Sequence, residues 1–229
     1  DEWDQDLLGT VSLPNSEVQQ VMMKSFHRDC DRAIVQAVTD PVFIGKKPET
    51  QVSFDANNQV AVNYVRPGDT VANTNLTLAK LIEISSFFSR NEVTGQDAET
   101  DESIVLAVTQ KQLDSLLFTT ETTNADYSDI KALRDGKIHH YMGIRFKKIQ
   151  HSLPLVGDIR ECLAWVPSGV KFNQNDWRIN MDERPDRSHA LQIRIRCRYG
   201  GMRYEEVKAL KVFCDETCLL YTSDAADEV

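Results

Sequence analysis

The sequence predicts an α+β chain. Three stretches carry that prediction: a long amphipathic helix at 15–39, a strand running directly into a capped helix at 104–117, and a strictly alternating strand at 191–199. In the first stretch, Val18, Val21, Met22, Phe26, Cys30, Ala33, Ile34 and Ala37 recur at gaps of three and four, which places them on one stripe of a helix. Ser16 with Gln19 has the form of a capping box, with Pro14 just outside it. Pro41 ends the run by pushing Asp40 out of helical geometry. Such a helix is roughly 37 Å long, enough to cross a whole domain, so other elements must pack along it. Val18, Met22, Phe26 and Ile34 are the expected core of this rod. Burial of Met22, Phe26 and Ile34 stabilises by roughly 1.5–3 kcal/mol each.

The remaining elements follow in order. Residues 1–14 read as a short strand entering the helix. Val52 and Phe54 alternate on one side of Asp55–Asn58, and Val60, Val62 and Tyr64 on the other, which predicts a hairpin with the Asp-Ala-Asn-Asn run as its turn. A second helix is expected over 76–90, with Leu78, Leu81, Ile82, Ser85 and Phe88 on one face; residues 91–103 are polar and acidic, as a surface loop is. The apolar run 104–108 suits a buried strand, and Thr109 with Gln112 forms a second capping box opening a short helix. Residues 127–133 read as a helical turn or two stopped at Gly136. One long strand is expected through Ile138, His140, Met142, Ile144 and Phe146. Short strands follow at 161–166 and around Trp177, Ile179 and Met181. Then comes the clearest alternation: Leu191, Ile193, Ile195, Cys197 and Tyr199 against Gln192, Arg194, Arg196 and Arg198, one face core and the other a row of guanidinium groups. Gly200-Gly201 is expected to end this strand, and 207–214 to form the last one.

With 41% hydrophobic and 27% charged residues the composition is that of a soluble globular chain, and no apolar run approaches the roughly 20 residues of a membrane span. Five scattered cysteines make a poor disulfide framework and point to a reducing compartment. Charge is uneven: residues 137–211 hold 15 Lys/Arg against 8 Asp/Glu, a balance of +7, while the rest carries −16 of the net −9. One part of the chain can therefore attract the other part of a neighbouring copy.

Residue chemistry points away from catalysis. His27-Arg28-Asp29 echoes a kinase catalytic loop, but Ile34 stands where that motif needs Asn. His27 and Cys30 share a helical face without a second ligand pair of zinc spacing. His139 and His140 point to opposite faces of a strand. His151 and His189 have no nucleophile pattern nearby, and no Gly-x-Ser-x-Gly elbow occurs. Asp182, Glu183 and Asp186 alternate with Arg184 and Arg187, as in an ion-pair network. No catalytic residue, cofactor or metal site is predicted.

Four ordered segments resemble a tailed-bacteriophage major capsid protein family: DYSDIKALRDGKIHHYMGIRF, ECLAWVPSGVKF, MDERPDRSHALQI and GGMRYEE. The matching positions include Asp126, Tyr127, Lys131, Asp135, Gly136, Met142, Gly143 and Phe146. Cys162, Ala164 and Trp165 follow, then Glu183, Arg184, Pro185, Asp186 and Ser188, then Gly200, Arg203, Glu205 and Glu206. The resemblance spans about 105–214. It implies a Hong Kong 97-like capsid fold with a long spine helix, a peripheral β-rich domain and an α/β axial domain. Residues 1–67 would supply the spine helix and a hairpin of the peripheral domain, 68–158 the axial domain, and 159–217 the return strands. The implied function is a coat subunit that self-assembles, through hexamers and pentamers, into an icosahedral head around double-stranded DNA. It would do so in the bacterial cytoplasm, in contact with packaged DNA and a scaffolding protein and with no membrane. Glu183, Arg184, Asp186, Arg194, Arg196 and Arg198 are the expected inter-subunit or inner-surface charges. An encapsulin-like compartment shell shares the fold and is the alternative; a small α/β hydrolase is the remote one. The family's N-terminal arm and extended loop exceed what residues 1–14 can supply, and 218–229 begins with CLLYTSDAADE, which resembles a translated sequencing adapter. The reading therefore expects an N-terminally truncated fragment with genuine sequence ending near Thr217.

Overall fold

A computed structural model describes residues 14–45, 49–93, 103–118, 140–149, 152–187 and 190–217, with side chains left undescribed at 14–19, 117, 118, 176, 177, 179, 181, 183, 190, 191 and 193. Residues 1–13 of the strand expected at 1–14, most of the 91–103 loop, the turns at 127–136 and the tail from 218 lie outside the described residues, as does the side chain of Val18.

Helix α1 runs from Pro14 to Thr39. Pro14 occupies the first turn, where its missing N–H costs nothing, so Ser16 lies inside the helix and is not its cap. The stripe is rotated relative to the sequence reading. Val35, Ala37 and Val38 are buried, Met22, Phe26 and Ile34 are half-buried, and Val21 is exposed. Periodicity gives the angle of a stripe only to within a residue, and the small Ala37 marks where the closest approach occurs.

A mixed sheet has the order β3-β11-β8-β4-β6-β5, with β7 beside β8. Its strands are β3 (Gln59–Val60), β4 (Ile104–Val108), β5 (His140–Tyr141), β6 (Ile144–Lys148), β7 (Leu155–Val156), β8 (Ile159–Trp165) and β11 (Ala209–Asp215). Strands β4 and β6 are parallel and therefore need a crossover, to which helix α3 (Gln110–Phe118) contributes. Alternation sorts the side chains into two cores. Leu106, Val108, Cys162, Ala164, Leu210 and Val212 face one side and pack with Leu81, Ile84 and Phe88 of α2 (Leu78–Arg90) and Leu113 and Leu116 of α3. Ala107, Leu163, Trp165 and Ala209 face the other side and receive Val35 and Val38 of α1. The sheet is thus held between α2 and α3 on one face and the end of α1 on the other.

Both short helices are capped as their sequences dictate. Thr77 Oγ1 accepts from Lys80 N at 3.4 Å, and the Gln112 side chain accepts from Thr109 N at 3.0 Å and from the Thr109 hydroxyl. Helix α2 presents Lys80, Leu81, Ile84 and Phe88 inward while Ile82 is exposed, a correction to the predicted face. The Lys80 ammonium is fully buried and donates to the carbonyls of Val62 (3.0 Å), Thr74 (2.7 Å) and Phe213 (2.9 Å). A long polar side chain disguised this inward position in the sequence.

Three strand expectations are corrected. The 52–64 hairpin does not form: β2 (Thr50–Val52) pairs with β1 (Val42–Ile44), and β3 adds in parallel to β11. The Asp55–Asn58 turn exists, closed by Asn58 N on Asp55 O at 3.1 Å, but it connects strands that part to different partners. Over 140–146, the described part of the long strand expected from Ile138, the chain is a hairpin of β5 and β6, turned at Met142 (φ 50°) and Gly143 (φ 76°). That positive-φ pair makes the two-residue turn that fits strand twist, and the alternation of Ile144 and Phe146 concealed it. Gly200-Gly201 does not end a strand: β10 runs from Ala190 to Arg203.

Strands β9 (Val170–Arg184) and β10 pair antiparallel as a two-stranded ribbon separate from the sheet. At about 3.3 Å per residue it is roughly 50 Å long, comparable with the roughly 39 Å of α1 that lies along it.

Candidate functional site

The ribbon and the turn at its end carry Glu183, Arg184, Asp186, Arg194, Arg196 and Arg198, the charges singled out in the sequence for contact with other copies or the inner surface. The apolar side of β10 faces α1. Tyr199 meets the Phe26 ring edge-on at 5.7 Å and Phe172 at 6.4 Å, while Ile195 and Cys197 are half-buried. This side is a helix-covered strip and not a closed core, because a ribbon of two strands has no further layer. At Gly201 the backbone comes so near the helix that an added Cβ would lie 2.8 Å from Ala37 Cβ.

Two residues further, Arg203 seals the end of α1. Its last turn holds no basic residue, which leaves its final carbonyls without a local cation. Arg203 Nη1 donates to Val38 O at 2.5 Å and Asp40 O at 3.2 Å, and Nε donates to Glu206 Oε1 at 2.9 Å. Its guanidinium is buried and stacks over Phe54 at 4.9 Å. Arg203 and Glu206 occur in the GGMRYEE segment, but sequence reasoning gave them no structural task. The signal was available: a helix ending in Val-Thr-Asp-Pro lacks a cationic or glycine cap of its own.

The opposite side of the ribbon carries the arginine row. Arg194, Arg196 and Arg198 are exposed, and Arg196 stands directly opposite Arg178 while Arg194 stands opposite Asn180. Arg178, Asn180, Arg194 and Arg196 together line a small surface recess. Sequence reading missed Arg178; pairing the 170–184 and 190–203 runs as a hairpin would have found it. At the ribbon's turn, Arg184 grips Asp186 with Nε–Oδ1 at 2.9 Å and Nη2–Oδ2 at 2.5 Å. These bonds hold the exposed Asp186 carboxyl below the ordinary carboxylate range. Glu183 lies in β9 opposite Leu191, and its side chain is outside the described set. The structure therefore brings Arg194, Arg196 and Arg198 together, and sets Arg184 with Asp186 at the distal end.

A second polar cluster lies where β8 begins and β11 ends, beside α3. Glu216 accepts from Arg160 Nε (2.7 Å), Lys111 Nζ (3.0 Å) and Gln112 Nε2 (3.3 Å). Burial pushes its carboxyl up, but the bonds from Arg160, Lys111 and Gln112 outweigh that and bring it down to about 2. Among the described residues no group of three or more His, Cys, Asp or Glu is placed to hold a metal ion, and no helix is long and apolar enough to cross a membrane.

A long helix laid over a β-ribbon, with a mixed sheet at its end, is an architecture whose chemistry lies on its surfaces, and comparison with known proteins identifies the class. The phage capsid protein family matches residues 3–216, and the chain belongs to that family. Similar structures include a Mycobacterium phage Che8 chain at TM-score 0.59 and 14% identity, covering 95% of this chain and 68% of that one. The capsid of an empty GTA particle gives TM-score 0.59 and 14% identity over 92% of this chain and 70% of that one. The head of Helicobacter pylori bacteriophage KHP40 gives TM-score 0.56 and 10% identity over 93% and 72%. No curated protein sequence matches the chain. The fold is the Hong Kong 97-like capsid fold, and the chain is a major capsid protein, a structural component of the virion.

Proposed function

We propose that the chain works by tiling. Copies associate into hexamers and pentamers that close into an icosahedral head around double-stranded DNA, with no catalytic step performed by the subunit. The family match over residues 3–216 carries this reading. Residues 68–158 serve as the axial part that gathers around the centres of these rings, and 1–67 with 159–217 as the peripheral part. Head-to-tail contacts around rotation axes close such rings, and many weak contacts per subunit suffice. Glu183, Arg184 and Asp186 at the ribbon's end and Arg194, Arg196 and Arg198 along it are the charges that meet neighbouring copies or the shell interior. Packaged DNA and a scaffolding protein are the further partners.

The test is expression of the chain, followed by sedimentation and electron microscopy. Closed particles of uniform diameter are expected. Arg196→Glu should reduce particle yield while the far-UV spectrum of the unassembled chain stays unchanged; normal particles from that variant would remove the charge assignment, and a soluble monomer at all concentrations would remove the tiling itself.

A further inference from the structure

The register of the ribbon contains an irregularity that organises a whole face. Arg196 pairs with Arg178, but Arg198 pairs with Asn175, so β9 carries one extra residue across this step. A bulge of one residue reverses the alternation of the strand that holds it. Before it, Arg178, Asn180 and Asp182 share a side with Gln192, Arg194 and Arg196; beyond it, Asn175, Asn173 and Lys171 share that side with Arg198. Without the bulge, Lys171 would turn toward α1. With it, Lys171, Arg178, Arg194, Arg196 and Arg198 all lie on the side away from the helix, and all are exposed. Asp182 is the only acid among the described side chains on the strands of that side, and Arg184 is already paired with Asp186. Among the described residues Arg194, Arg196 and Arg198 have no ion-pair partner.

Arg194, Arg196 and Arg198 stand at every second position of one strand, roughly 7 Å apart on one side, and repel one another. An anionic partner lying along the face relieves that repulsion. We propose that this face is the docking surface for carboxylates of a second copy of the chain. The proposal rests on the tiling reading and gives it a polarity. A nucleic acid is the poorer fit: the chain is acidic overall, with pI about 5.1, and would repel a polyanion everywhere except this face. A second copy brings the complementary charge itself, since the chain outside 137–211 carries −16. Its densest acidic runs are 1–6 and 97–102, each with four carboxylates in six residues. A contact between two different surfaces of one chain is what head-to-tail assembly requires.

The test uses Arg194→Lys and Arg196→Lys, which keep the charge and introduce primary amines. Equal amounts of 14N and 15N chain are mixed, treated with a carbodiimide that joins amines to carboxylates without a spacer, and digested for mass spectrometry. Mixed-isotope links from positions 194 and 196 to Asp or Glu are expected, falling at least fivefold at roughly 1 M salt, where screening reaches about 3 Å. Links confined to one isotope would overturn the proposal. So would an absence of links accompanied by ultraviolet cross-linking of this face to nucleic acid. The links are read in any oligomer, so a lack of closed particles bears on the tiling reading and a lack of inter-copy links bears on this face.

Discussion

Replacing Gly201 by Ala tests whether α1 is seated on the ribbon as described. The new Cβ would lie 2.8 Å from Ala37 Cβ, against an ordinary carbon–carbon contact of about 3.5–4.0 Å. Both atoms are carried on regular backbone and neither belongs to a flexible side chain, so about 1 Å of separation must come from moving the helix or the strand. Overpacking of this kind costs roughly 1–3 kcal/mol, of which about 0.4–1 kcal/mol is returned by the stiffer unfolded chain. The expected net loss is about 1–2 kcal/mol. Ala37→Gly alone should cost a similar amount, about 1 kcal/mol of helix propensity and a further ~0.8 kcal/mol of buried methyl. The double variant relieves the clash, so the two losses should add to less than their sum by at least about 1 kcal/mol. Equilibrium urea unfolding of the unassembled chain, followed by tryptophan fluorescence, measures all four corners of the cycle. Additive losses, or a neutral Gly201→Ala, would mean that helix and ribbon do not touch there.

Three other outcomes follow from the same structure. Arg203→Leu removes the donor to Val38 O and Asp40 O and leaves Glu206 without its main partner; a loss of roughly 3–5 kcal/mol is expected, with Lys at this position restoring little because it lacks the fork. Lys80→Met keeps the length of the side chain but removes three charge-assisted hydrogen bonds, although Val62 O and Thr74 O keep their backbone donors; unfolding should shift by on the order of 3 kcal/mol, and a neutral result would show that water replaces the ammonium. The Glu216 carboxyl sits at about 2 in the folded chain against an ordinary 4.5, so its contribution is present above pH 4.5 and is lost as pH falls from there through 2. That gap corresponds to about 3 kcal/mol, and the stability difference between the native chain and Glu216→Gln should shrink over that window; a constant difference would show that the carboxylate is not held by Arg160 and Lys111.

The legible parts of this fold were those with a strong local signal. The rod, the Thr109–Gln112 cap, the 104–108 strand and the arginine alternation each follow from residues within one or two turns of each other. Corrections arose where partners distant in sequence decide the outcome. Nothing local tells residues 50–52 to pair backward with 42–44, or Val60 to join β11 some 150 positions away. Met142 conceals a positive-φ turn because methionine is not a residue expected there. Gly200-Gly201 has the look of punctuation, yet at Gly201 the missing side chain makes room for Ala37. The charged face was half visible: β10 displayed its own arginines, but Arg178 joins them through a long-range strand pairing and Lys171 through a bulge that no periodicity reports.

The position of α1 explains why these contacts matter to a shell. Val35 and Val38 at its C-terminal end lie in the second core of the sheet, while Phe26 and Ala37 meet Tyr199 and Gly201 of the ribbon. Arg203 ties the ribbon's end to the last carbonyls of the same helix. Ribbon and sheet share no hydrogen-bonded strand, so stiffness between them depends on α1 and on the chain segments that join them. A force applied at the Arg184–Asp186 tip reaches the sheet through the helix as well as through the short joints at 166–169 and 204–208. Loosening Gly201 or Arg203 should therefore impair particle closure more than subunit folding, since a shell needs every wedge to hold the same angle.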